Sequence, residues 1–102
     1  MSSLNEFLAD LGALPCADLV GKLAVQIAAL GPDVEPEVEP FTVRFRVQGR
    51  KLCELSAYGE LLLVRIGSAG AVEYRVRHEE VAWRALEDVL REYLLLREPV
   101  VS

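Results

Sequence analysis

The sequence predicts an α+β fold: two N-terminal helices, a four-stranded antiparallel meander, and a C-terminal helix packed on one sheet face. Three observations predict it. From Phe41 to Arg77, apolar and polar residues alternate in short runs separated by glycine-bearing turns. Before that stretch, apolar residues recur at helical spacing, punctuated by Gly12 and Gly31-Pro32. After it, a helical stripe runs on to the proline at 99. The 102 residues read as one domain. Its parts are a helical pair over 1–31, an acidic, proline-rich connector over 32–40, the sheet over 41–77, and the closing helix over 78–98.

Ser3 and Glu6 form a capping box that opens the first helix. Leu4, Phe7, Leu8 and Leu11 share one face of it, and Gly12 ends it. Pro15 suits the first turn of the second helix. Leu19, Val20, Leu23, Ala24, Ile27 and Leu30 form that helix's apolar face, with Asp18 and Lys22 as an i,i+4 pair on its polar side. Gly31-Pro32 stops it. In the connector, Pro36, Pro40 and alternating acids disfavour helix and favour an extended lead into the sheet or an edge blunted by proline.

The four predicted strands have a common register. Phe41, Val43, Phe45 and Val47 alternate with Thr42, Arg44, Arg46 and Gln48. A one-residue slip would turn each apolar set toward water, so burial selects the turns. A three-residue loop at Gly49-Arg50-Lys51 sets Phe45 opposite Leu55, Val47 opposite Cys53 and Arg46 opposite Glu54. Tyr58-Gly59 fits a two-residue hairpin turn. Ser68-Ala69-Gly70 fits a three-residue loop that pairs Ile66 with Val72, Val64 with Tyr74 and Arg65 with Glu73. Core-facing residues then include Phe45, Leu55, Val64 and Tyr74. The outer face carries Thr42, Arg44, Arg46, Glu54, Ser56, Leu61, Leu63, Arg65, Glu73, Arg75 and Arg77, so five arginines meet two glutamates.

The closing helix is expected from about Glu79 to about Leu96, with Glu79 and Glu80 at its positive end. Ala82, Ala85, Leu86, Val89, Leu90, Tyr93 and Leu94 make its apolar stripe, and Trp83 lies at the margin. Glu80 with Arg84, and Glu87 with Arg91, are i,i+4 pairs.

Composition narrows the function classes. Apolar residues make up 52% of the chain, ample for a core, and the net charge of −5 disfavours general nucleic-acid binding. No run of ~18 apolar residues spans a membrane, and the N-terminus has no basic region followed by an apolar run. Cys16 and Cys53 are far apart and read as reduced, buried thiols in a cytoplasmic protein. No phosphate-binding glycine motif or nucleophile elbow occurs. His78 is the single histidine, at the junction of last strand and last helix. With no nucleophile or orienting partner for it, a helix-start role fits better than a general base. No enzyme activity, cofactor or metal site is expected. The acids over 33–39 read as a solvated segment rather than a cation loop.

The outer face is the remaining constellation. Arg46–Glu54 and Arg65–Glu73 read as cross-strand pairs. Arg44, Arg75 and Arg77 have no same-face carboxylate in this register, and Leu61 and Leu63 sit among them. A partner surface would cover the leucines and pair the arginines. The expected partner is a second copy or another protein, through Arg44, Arg46, Leu61, Leu63, Arg65, Arg75 and Arg77. The acids over 33–39 are candidate counter-charges, in the same chain or a neighbour. A nucleic-acid partner is disfavoured, because no aromatic stacking pair accompanies the arginines.

The run Ile27-Ala28-Ala29-Leu30-Gly31-Pro32-Asp33-Val34-Glu35, followed by a charged strand, Gly49-Arg50-Lys51 and a hairpin, resembles the YdhG-like group of small bacterial domains. The likeness covers about residues 19 to 96 in its order of elements. It implies a small α+β domain. It also supports an alternative, a small metal or anion carrier using the acidic segment or the arginines, since some members have been called iron chaperones by likeness to frataxin. It implies no defined ligand set.

Overall fold

Five strands, not four, form one antiparallel sheet in the order β1-β2-β3-β4-β5. They are β1 (Val34–Glu39), β2 (Thr42–Val47), β3 (Arg50–Tyr58), β4 (Leu61–Ile66) and β5 (Val72–Val76). Accompanying them among the described residues are the helices α1 (Ala17–Ala28) and α2 (Glu79–Arg97). The computed structural model describes residues 7, 9, 12, 17–58, 60–67 and 72–97. The capping box at Ser3 and Glu6, and with it most of the expected first helix, lies outside the described residues, as do Pro15, Cys16 and the Ser68-Ala69-Gly70 loop. Phe7 is helical and fully buried in the core.

Of the two expectations for the connector over 32–40, an extended lead or a proline-blunted edge, the edge is found, as a fifth strand that corrects the count of four: β1 pairs from Val34 opposite Val47 to Glu39 opposite Thr42. Its period is two. Val34 is buried and Val38 half-buried on the helix side, while Glu35, Glu37 and Glu39 point to the outer face. An edge strand leaves one side of its backbone unpaired and so tolerates the prolines. A two-residue turn, Pro40-Phe41, joins β1 to β2. Phe41 has φ 60°, an unusual left-handed conformation for a bulky side chain.

Two turns differ from expectation, and each shifts the register by two residues. Between β2 and β3 the turn is Gln48-Gly49, with φ 52° and 80°, the pattern of a type I′ hairpin. Val47 lies opposite Arg50 and Arg46 opposite Lys51, and then Phe45 lies opposite Cys53. Leu52 is therefore the extra residue of a β-bulge. The bulge lets Leu52 and Cys53 both enter the core, and the Leu52 carbonyl accepts from Gly67 N at 2.9 Å. Between β3 and β4 pairing runs to Tyr58 opposite Leu61, so Tyr58 belongs to the strand and not to the turn. The β4–β5 register is as expected: Ile66 opposite Val72, Arg65 opposite Glu73, Val64 opposite Tyr74.

Both helices cover one face. α2 packs across β2 to β5 and α1 across β1 and β3. Val20, Leu23, Ala24 and Ile27 of α1 meet Ala82, Ala85, Val89 and Tyr93 of α2 over Val43, Phe45, Leu55, Leu62 and Val64. At about 25 cal/mol per Å² of apolar surface removed from water, this layer is the main stabilising term. The expected stripe of α2 is narrower than predicted. Leu90 and Leu94 are exposed, Trp83 lies at the rim, and at the sheet edge Val72 is exposed. His78 closes the start of α2, its carbonyl accepting from Val81 N and Ala82 N at 3.2 Å. Asp88, not Glu87, holds Arg91, at 3.4 Å, and no Glu80–Arg84 pair forms among the described residues. No helix among the described residues is long and apolar enough to cross a membrane.

Candidate functional site

The face turned away from the helices is ordered in rows that cross the sheet. Residues opposite one another in an antiparallel pair share a face, so the register aligns Glu37, Arg44, Glu54, Arg65 and Glu73 in one line over all five strands. Charge alternates at every step. Arg44 lies 3.7 Å from Glu37, 3.6 Å from Glu54 and 3.0 Å from Glu39. Arg65 lies 3.4 Å from Glu73. Arg46 Nε donates to Glu37 at 2.9 Å, and Lys51 Nζ to Glu54 at 2.9 Å. Single exposed pairs of this kind contribute roughly 0.2–1 kcal/mol, and the connected part of the row does better because Glu37 and Glu54 each serve two cations.

This row corrects two sequence expectations. Arg44 takes Glu54, and Arg46 takes Glu37 in its place. Arg44 has three carboxylate partners, where the four-strand register offered it none. The missing acids are on β1: Glu35, Glu37 and Glu39 join Glu54 and Glu73, so five glutamates face the five arginines. The expectation that the acids over 33–39 serve as counter-charges is met within the chain by Glu37 and Glu39.

The electrostatics follow from burial and neighbours. Burial disfavours the charge on Glu54, but the Lys51 hydrogen bond and the charges of Lys51, Arg44 and Arg65 outweigh it and hold the carboxyl below its ordinary range. The hydrogen bond to Glu39 is the largest influence raising Arg44, with the charges of Glu39, Glu54 and Glu37 behind it. Burial drives the Cys53 thiol far up, which makes it inert. On the helix side, Tyr74 donates to Asp88, and that bond raises the phenol's pKa.

The adjacent row differs. It runs Glu39, Thr42, Ser56, Leu63, Arg75. Ser56 is 5% exposed and accepts from Thr42 Oγ1 at 3.4 Å. Leu63 is 9% exposed yet lies outside the main core cluster, so its neighbours on the outer face already cover it. The expectation that both leucines stand in water is therefore corrected: Leu63 is buried and Leu61 half-buried. Beyond this row lie Tyr58, 60% exposed, and Leu61 opposite it. Arg77 is exposed just past β5, two residues on from Arg75. Among the described residues, Arg75 and Arg77 make no ion pair.

The seven sequence-nominated residues thus fall into two groups. Arg44, Arg46 and Arg65 belong to the self-neutralised charged rows. Leu61, Leu63, Arg75 and Arg77 belong to the turn end of the face, joined there by Tyr58, which sequence reasoning placed in a turn. On the other side, an open groove of about 480 Å³ lies between α1 and the start of α2, lined by Gly21, Lys22, Val25, Gln26, Glu79 and Trp83. Its lining has no serine, threonine, cysteine or histidine. No group of three or more His, Cys, Asp and Glu side chains among the described residues is placed to hold a metal ion.

No protein-family model, curated protein or solved structure matches the chain.

Proposed function

We propose that this protein is a non-enzymatic binding and assembly module that pairs with a second copy of itself through the turn end of its outer sheet face. One observation carries the reading. Arg75 and Arg77 stand without ion pairs among the described residues, beside exposed Tyr58 and half-buried Leu61, on a face whose other arginines are paired. Aromatic and arginine side chains flanking an apolar spot are the composition enriched in protein interfaces. The carrier alternative has less support: the acids of 34–39 that would attract a cation already hold Arg44 and Arg46. A cytoplasmic setting goes with this reading, since Cys53 is buried and unbridged.

Sedimentation velocity over a concentration series tests it. The parent is expected to move from monomer to dimer, and Leu61→Glu to stay monomeric with unchanged circular dichroism. A parent that remains monomeric at every concentration ends the reading. A single-stranded oligonucleotide titrated under the same conditions is expected to leave the sedimentation profile unchanged.

A further inference from the structure

We propose that the two copies are related by a two-fold axis running along β3, and that Glu39 of each copy pairs with Arg75 of the other. This rests on the self-pairing reading above and specifies its geometry.

One row of the face carries opposite charges at equal distances from the middle strand. Five strands place β3 at the centre, with β1 and β5 as the two edges. An axis parallel to the strands and above β3 sets β1 of one copy over β5 of the other, and the reverse, while every row faces its own copy. The row Glu39–Thr42–Ser56–Leu63–Arg75 has an acid at one end and a base at the other. Facing its own copy about β3, it brings Glu39 to Arg75 twice, Thr42 to Leu63 twice, and Ser56 to Ser56 at the axis. Ser56 and Leu63 are 5% and 9% exposed and already covered within their own copy, so contact between copies falls to the exposed side chains around them. Exposed Tyr58, on the same strand, meets its own copy beside the axis.

The two charged ends are available. Glu39 is half-exposed, with its Oε1 3.0 Å from Arg44 Nη1, so its carboxylate is open to a second cation from solvent. Arg75 has no ion pair among the described residues and lies at the opposite edge.

The neighbouring row limits the contact. Glu37–Arg44–Glu54–Arg65–Glu73 reads the same from either end, so the same axis places like charge over like charge. That row is neutralised within its own copy, and leaning the strands of both copies toward the axis at the turn end brings the Glu39–Arg75 row together while it parts the like-charged row. The interface is therefore confined to the turn end. One row over five strands, with Tyr58 and Leu61 beyond it, spans about 24 Å by at most about 14 Å at ordinary strand and residue spacings. This is below the area of a standard stable interface, so the dimer is weak and concentration-dependent.

The test is a charge exchange followed by sedimentation equilibrium. Arg75→Glu alone and Glu39→Lys alone each make both contacts repulsive, and each is expected to weaken dimerisation at least tenfold. Mixed together, the two variants form a heterodimer in which both contacts join opposite charges, with affinity within about threefold of the parent. Full dimerisation of either single variant, or weakening without rescue on mixing, overturns the proposed geometry. If Leu61→Glu still abolishes the parent's dimer in those cases, self-pairing through this face stands and only the arrangement falls. A monomeric parent removes both.

Discussion

Tyr93 on α2 donates its hydroxyl to Asp33, 60 residues away in the link between α1 and β1, at 2.7 Å. Gly31 lies beneath that bond. A β-carbon there would collide with the Tyr93 hydroxyl and lie 2.7 Å from Asp33 Oδ1. The contact ties the end of α1, the entry to the edge strand and the closing helix together at one point.

Gly31→Ala is therefore expected to destabilise the fold by about 1–3 kcal/mol, the usual range for forcing an extra carbon into a packed site. Tyr93→Phe should cost about 1 kcal/mol through loss of the hydrogen bond. In the Tyr93→Phe background, the cost of Gly31→Ala should shrink, because the colliding oxygen is gone. Urea unfolding of the four proteins in this double-mutant cycle checks it, and additive losses would show that the collision is relieved some other way.

Acid should act through Glu54. Its folded-state pKa is lowered, so the stability it contributes is present above the ordinary carboxylate pKa of about 4.3 and is lost as pH falls through the lower folded value. Glu54→Gln should reduce stability at pH 7. It should also lose less stability than the parent between pH 5 and pH 3. Chemical denaturation at those three pH values measures both effects.

The hairpin at Gln48-Gly49 has room for improvement. Both residues have positive φ, and only the second is glycine. Gln48→Asn should stabilise by a few tenths of a kcal/mol, because asparagine tolerates the left-handed region better. Gly49→Ala should destabilise by roughly 1–2 kcal/mol, although a β-carbon there meets nothing within 4 Å. Thermal melts of the two variants give the signs directly, and a loss in both would argue against the type I′ turn.

Cys53 should be silent toward thiol reagents in the folded protein. It is fully buried and its pKa is far above the ordinary thiol value. In a Cys16→Ser background, labelling should be slow in buffer and fast in denaturant. Fast labelling in buffer would mean that the bulge carrying Leu52 and Cys53 opens locally.

The faces of the sheet were legible in the sequence because side-chain direction alternates strictly along a strand. Phe45, Leu55 and Val64 on one side, and Arg44, Arg65 and Glu73 on the other, follow from parity alone. The partners within a face were not legible, because a shift of two residues preserves parity. Arg46 and Arg44 are equally good candidates for Glu54 on that criterion, and the choice fell to a bulge at Leu52 that brings one more apolar side chain into the core. The edge strand was legible only as one of two alternatives for 32–40, for a different reason. Pro36 and Pro40 are poor strand residues locally, and only the pairing of Glu35 and Glu37 opposite Arg46 and Arg44 makes an edge there favourable.

By itself, then, the sequence determined the fold class, the apolar set that meets the helices, and an outer face rich in arginine. Periodicity encodes those things, and periodicity is local. Only the tertiary structure decided which arginines are neutralised within the chain and which stand open. That choice depends on which acid lies opposite each one, a relation between residues far apart in the chain that alternation along a strand does not record.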